Sequence, residues 1–161
     1  MRALTVRQPW AWAIARGHKP ILNRGQDTGL RGEVAVHASL RVDLEAFDDV
    51  VIRSANWDPA DPEAAIGGIV AVVSLVDVCT QAQAGRSCDC GEWALPGNFH
   101  WRLARPRPLA WPVLTIGQPG VWELAPRVAA EVARLLPGPP PAPFPGPLPS
   151  APLSRPRGPA R

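Results

Sequence analysis

The side chains best suited to chemistry crowd into the first forty residues of this 161-residue chain. Arg7 and Arg24 offer planar guanidinium forks that match phosphate oxygens, and Lys19 offers a compact ammonium. Gln8 and Asn23 carry amides able to read a base edge or a ribose hydroxyl. Trp12, and Trp101 further along, present flat rings on which a base can stack. His37 adds an imidazole that can carry a proton or touch a ligand. Such a set suits a phosphate-bearing polynucleotide or nucleotide. Each member also has an ordinary reading: a solvated arginine, a core tryptophan, a buried histidine that is merely hydrogen-bonded.

Composition sharpens the case for Lys19. Sixteen arginines accompany this single lysine, and tyrosine is absent. In a chain so biased, a retained lysine can mark a place where an amine is wanted in preference to a guanidinium. Charge is also segregated. Residues 1–42 carry seven basic and two acidic side chains, residues 43–77 one and eight, and residues 78–136 six and four. The formal net charge of +3 therefore comes from Arg155, Arg157 and Arg161, while residues 1–136 are neutral yet can still present a positive face.

Other classes are set aside. No run of eighteen apolar residues occurs, so no membrane span is expected. The opening MRALTVRQPW lacks an apolar signal core, and three cysteines do not suggest a disulfide framework; a cytoplasmic location is expected. Cys79, Cys88, Cys90 and His100 give C-x8-C-x-C-x9-H, without the paired C-x2-C knuckles of zinc modules, so neither a metal nor a cofactor is expected. No Walker loop, dinucleotide fingerprint or nucleophile elbow is found.

The elements that must position these groups follow from periodicity. Ala3 to Val6 reads as a strand, and Gln8-Pro9 opens a helix closed by Gly17, with Trp10, Ala13 and Ile14 on one face. Ile21 to Arg24 is extended, and Gly32 to Ala38 alternates as a strand. Asp43 is the expected N-cap of a helix through about Ser54, with Leu44, Phe47 and Val51 inward. Gly68 to Cys79 is apolar and β-branched throughout, as in a strand buried on both sides. A polar loop over 80–98 precedes strands at Phe99–Ala104, Trp111–Ile116 and Val121–Leu124, the last two joined by a type II turn at Pro119-Gly120. Pro126 starts a closing helix with Val128, Val132 and Leu135 on one side. One α+β domain over residues 1–136 is expected, with its strands in a closed or half-closed barrel. Residues 137–161, PGPPPAPFPGPLPSAPLSRPRGPAR, are expected to be a disordered Pro-rich tail that samples polyproline II.

Taken in order, Arg7-Gln8-Pro9-Trp10, Gly17-His18-Lys19, Asn23-Arg24, His37-Ala38-Ser39, Gly67-Gly68, Phe99-His100-Trp101 and Gly120-Val121-Trp122-Glu123 resemble the ASCH-domain family of PUA-like barrels, over about residues 2–125. The resemblance implies a PUA-like mixed β-barrel with two or three short helices and a cleft facing RNA, nucleotides or modified nucleosides. Gly17, Lys19 and Arg24 match the family signature Gly-x-Lys-x-x-Glu-x-Arg, while Leu22 stands at the glutamate position. One subgroup hydrolyses the amide of acetylated cytidine with a lysine, a threonine and a later glutamate. By that likeness Lys19 and Glu92 are the candidate catalytic residues, and Leu22 weakens the analogy. Other relatives are described as ribonucleases.

The preferred expectation is an RNA- or nucleotide-binding module with a basic cleft at the barrel mouth, lined by Arg7, Gln8, Trp12, Lys19, Asn23, Arg24, His37, Ser39 and Trp101. The alternative is an amidohydrolase on an N4-acetylcytidine-type nucleoside, or a ribonuclease, using Lys19. A third expectation is that the tail meets a polyproline-recognising domain.

Overall fold

In the computed structural model, residues 1–79 and 90–138 are described. The element order is β1 (Arg2–Gln8), α1 (Trp10–Ala15), β2 (Ile21–Arg24), β3 (Gly32–Val42), α2 (Val50–Ser54), β4 (Gly68–Cys79), β5 (Phe99–Leu114), β6 (Val121–Glu123) and α3 (Pro126–Leu135). The strands form one mixed sheet in the order β2-β5-β4-β3-β1-β6, with β1 and β3 parallel and every other pair antiparallel. This α+β architecture matches the expected class.

The expected closed or half-closed barrel is a loose one, a curled sheet that does not close. Among the described residues, β2 and β6 are its two edges and no ladder joins them. The curl is nonetheless deep. The Arg24 guanidinium on edge strand β2 donates to the Thr5 carbonyl of β1 at 2.9 Å, across four strand positions of the sheet order. A side chain thus spans the gap that a ladder would close.

Period-two alternation explains the two cores. Leu4, Val6, Val34, Val36, Val73 and Leu75 face the inside of the curl and pack with Ile14 of α1 and with Leu22 and Trp101. Their neighbours Ala3, Ala35 and Val72 face outward, where Trp122, Leu124 and Val132 of α3 cover them. Strand β4 supplies both faces, as its unbroken apolar run requires. The closing helix lies as expected, with Val132 buried and Val128 and Leu135 half-buried against the outer core.

Three local expectations change. Asp43 does not cap a helix: its carboxylate accepts from the Trp10 indole at 3.1 Å. Asp49 caps α2, accepting from the Val51 amide at 2.9 Å, so the segment splits into a short 3-10 turn and one helical turn. Ile52 fills the core there, while Leu44 is 77 % exposed. The two strands expected over 99–116 are one, β5, whose ladder with β4 slips at three places and so accommodates Pro106, Pro108 and Pro112. Finally, β6 pairs with β1 and not with its predecessor, although Gly120, at φ +70°, adopts the left-handed backbone that a type II turn needs. The Pro-rich tail beyond residue 138 lies outside the described residues.

Candidate functional site

A cavity of about 1320 Å³ opens where the curled sheet meets the strap of residues 114–120. Arg7, Lys19, Arg24, Arg41 and His37 line it, together with Thr5, Trp10, Asn23, Ser39 and Asp43. Four of its lining groups are cations and one is a carboxylate.

Lys19 is positioned by the end of α1. Gly17 turns the chain at φ +79°, and the amides of His18 and Lys19 both return to the Ala13 carbonyl, at 2.8 and 3.1 Å. The side chain then runs inward, and the residue is only 8 % exposed. Its Nζ lies 4.6 Å from the centroid of Trp10 and 4.0 Å from that of Trp93. The two indoles stand edge-to-face, 6.1 Å apart at 89°. Burial lowers the amine from its usual 10.5 to about 8, while Asp49 pulls the other way.

The walls of this cage are fixed in turn. Asp43 holds the Trp10 indole. Asn23 on β2 donates to the Trp93 carbonyl at 2.9 Å and accepts from the Leu95 amide at 3.0 Å, anchoring the segment that carries Trp93. The strap is pinned as well. The Thr5 hydroxyl donates to the Gln118 carbonyl at 2.7 Å and accepts from the Trp122 indole at 3.1 Å. His37 meets the Thr115 carbonyl through Nε2 at 3.1 Å, so Nε2 carries the proton. Burial pushes the His37 imidazole below its ordinary value, which keeps it neutral at pH 7. Its Nδ1 is buried and accepts no hydrogen bond among the described residues. Gly117 lies against that ring edge, where any Cβ would fall 2.3 Å from His37 Cε1.

Three members of the acidic block pair elsewhere, while Asp43 lines the cavity and Asp49 acts on Lys19. Arg16 pairs with Asp61 at 2.7 Å and with Glu63 at 3.4 Å, and Arg31 pairs with Asp77 at 3.4 Å. Among the described residues, no ion pair involves Arg7, Lys19, Arg24 or Arg41. Burial lowers the Arg24 guanidinium from its ordinary value, and its centre lies 5.9 Å from the Trp101 ring.

Of the residues singled out in the sequence, Arg7, Lys19, Asn23, Arg24, His37 and Ser39 line this cavity. Four other candidates do not line it. Gln8 is 1 % exposed, and its amide donates to the Glu63 and Ala65 carbonyls and accepts from the Trp12 amide, so it tethers the 62–65 turn to α1. Trp12 is 2 % exposed in a separate cluster with Ile52 and Trp57, its indole donating to Asp61 at 2.9 Å. Trp101 belongs to the inner core and donates to the Gln26 carbonyl. Glu92 is exposed on a single 3-10 turn. The aromatic partners of the site are instead Trp10 and Trp93. Trp93 lies 74 positions beyond Lys19, and no spacing rule connects the two. Trp10 was legible as a helix-face residue and within the Arg7-Gln8-Pro9-Trp10 stretch, but not as an aromatic partner of Lys19, and Arg41 only through the basic bias of residues 1–42.

No protein-family model and no curated protein matches this sequence. Solved structures do match its fold. The Y47F mutant of ZmASCH from Zymomonas mobilis aligns with 84 % of this chain and 97 % of its own, at TM-score 0.51 and 12 % identity. The ASCH structure from the same organism covers 84 % of this chain and 94 % of its own, at TM-score 0.50 and 13 % identity. The chain therefore has the fold of the ASCH domains.

Proposed function

We propose that the cavity binds a phosphate-bearing nucleotide unit, as a free nucleotide or within an RNA strand. The observation that carries this reading is the group of four cations, Arg7, Lys19, Arg24 and Arg41, lining one cavity with a single carboxylate and no ion pair of their own among the described residues. Cations that outnumber the carboxylates beside them and form no ion pair favour an anionic partner. Leu40, Leu95, Leu114 and Ile116 also line the cavity and are each exposed, giving apolar surface beside the cations for a base or ribose. The ASCH-type fold agrees with this reading.

Binding of a short single-stranded RNA, followed by fluorescence anisotropy at increasing salt, tests it. Three or four phosphate contacts predict a log–log slope of about −2 to −3. Arg41→Ala, at an exposed position, lowers that magnitude by about 0.7 and leaves the fold intact. Absence of binding at low salt, or a flat salt response, overturns the reading.

One observation favours a second reading, hydrolysis of an acylated nucleoside: the Lys19 amine, lowered to about 8, is partly neutral at neutral pH and so available as a base or nucleophile. Neither Leu22 nor the exposed Glu92 supplies the orienting acid. Turnover of N4-acetylcytidine that disappears in Lys19→Ala supports this second reading, and no turnover ends it.

A further inference from the structure

A second cluster of chemistry-bearing side chains lies at the far end of β4. Cys79 is the last residue of β4, and His100, near the start of β5, is its ladder partner. Cys90 comes from the segment leading into β5. One ligand atom from each, the two Sγ and a His100 ring nitrogen, lie within 4.8 Å of one another. Their linear spacing lacks a zinc knuckle because the three converge through strand pairing. Cys88, the remaining cysteine, lies outside the described residues.

The histidine is tied to the backbone through one ring nitrogen. His100 is fully buried, and its Nε2 lies 2.8 Å from the Leu95 carbonyl. A carbonyl only accepts, so the proton sits on Nε2 and the lone pair on Nδ1. Metal-bound imidazoles are commonly fixed by such a backbone contact. Two thiolates and one neutral imidazole also balance a divalent ion. In a tetrahedral zinc site the ligand atoms stand about 3.5 to 3.8 Å apart. Contraction of about one ångström would therefore close these three around an ion.

We propose that Cys79, Cys90 and His100 bind a zinc ion that staples the 90–98 segment to the sheet. Three protein ligands leave a fourth position for water or another donor. The segment needs such a staple, because none of residues 91–98 is buried. It nonetheless carries Trp93 against Lys19 and Leu95 into the cavity lining. Asn23 holds it from one side, and His100, the ladder partner of Asn23, holds it from the other. Metal binding therefore sets one wall of the lysine cage, whatever ligand the cavity takes.

The test uses the full chain without a histidine tag, under reducing conditions. After zinc incubation and desalting, elemental analysis is expected to give about one zinc per chain. Cobalt in its place is expected to give intense tetrahedral visible bands and a thiolate-to-cobalt charge-transfer band. Chelation is expected to speed amide exchange across 90–98 by at least about tenfold. Cys79→Ser and Cys90→Ser are each expected to weaken cobalt binding by at least about tenfold, and if either fails to fold the wild-type cobalt spectrum decides. Below about a tenth of a zinc per chain, a weak octahedral cobalt spectrum, or a Cys79–Cys90 disulfide in place of metal overturns the proposal.

Discussion

Replacing Lys19 by methionine should stabilise the protein at neutral pH, and the gain should vanish in alkali. The amine falls from 10.5 in the unfolded chain to about 8 in the folded one. The folded state therefore holds its proton less tightly than the unfolded state. Below pH 8 both states are protonated and the full cost of burying the charge is present. Between pH 8 and 10.5 the unfolded chain binds more protons, so stability rises with pH; above 10.5 the cost is gone. A displacement of that size corresponds to about 3 kcal/mol. By linkage that displacement fixes the whole pH-dependent amplitude, so a change of about 3 kcal/mol between pH 7 and pH 11 is expected. Methionine keeps the length of the side chain and suits an aromatic cage. Urea unfolding of both proteins at pH 7, 8, 9, 10 and 11 gives the difference at each pH, and groups common to both cancel. The background is favourable, since the chain has no other lysine and no tyrosine. A stability difference that stays constant across this range, or moves in the variant's favour, refutes the reasoning.

Two further substitutions probe the frame around the cavity. Gln8→Leu strands the Glu63 and Ala65 carbonyls and the Trp12 amide, and should cost about 3 kcal/mol in urea unfolding while the folded protein keeps its RNA salt slope. A changed slope at unchanged stability would make Gln8 a ligand contact after all. Gly117→Ala forces a methyl to within 2.3 Å of His37 Cε1 and 2.5 Å of its Nδ1, and should cost about 1–3 kcal/mol by displacing the strap or the imidazole. An unchanged urea midpoint would mean that the strap does not rest on His37.

Much of the fold was legible because its signals are local. The β-branched run of Gly68–Cys79 gave a doubly buried strand with matching ends, and Pro126 with Val132 gave the closing helix. Legibility failed where a residue's role depends on distant partners. Trp12 and Trp101 are aromatic and lie in the stretches that carry the family resemblance or beside them, but nothing local tells a core indole from a cavity one; Asp61 and Gln26, which bind their indole nitrogens, lie 49 and 75 positions away. Asp43 has the type of an N-cap, yet the Trp10 indole claims its carboxylate through tertiary packing. The barrel was inferred from strand count, whereas closure depends on edge pairing, and here a single Arg24 hydrogen bond bridges the gap. At the candidate site, charge type was readable and aromatic geometry was not. The lone lysine among sixteen arginines drew notice to a position that lines the cavity, but only the fold shows Trp93 against it.

The most direct test of phosphate capture in the cavity uses the fact that Lys19 is the sole lysine. With isotope-labelled lysine the protein gives one side-chain amine to follow by NMR through a pH titration, first alone and then with a saturating short RNA strand. A bound phosphate must favour the ammonium, so the midpoint near 8 should move upward and the signal itself should shift. RNA that binds while the midpoint and the signal stay where they were would contradict the account.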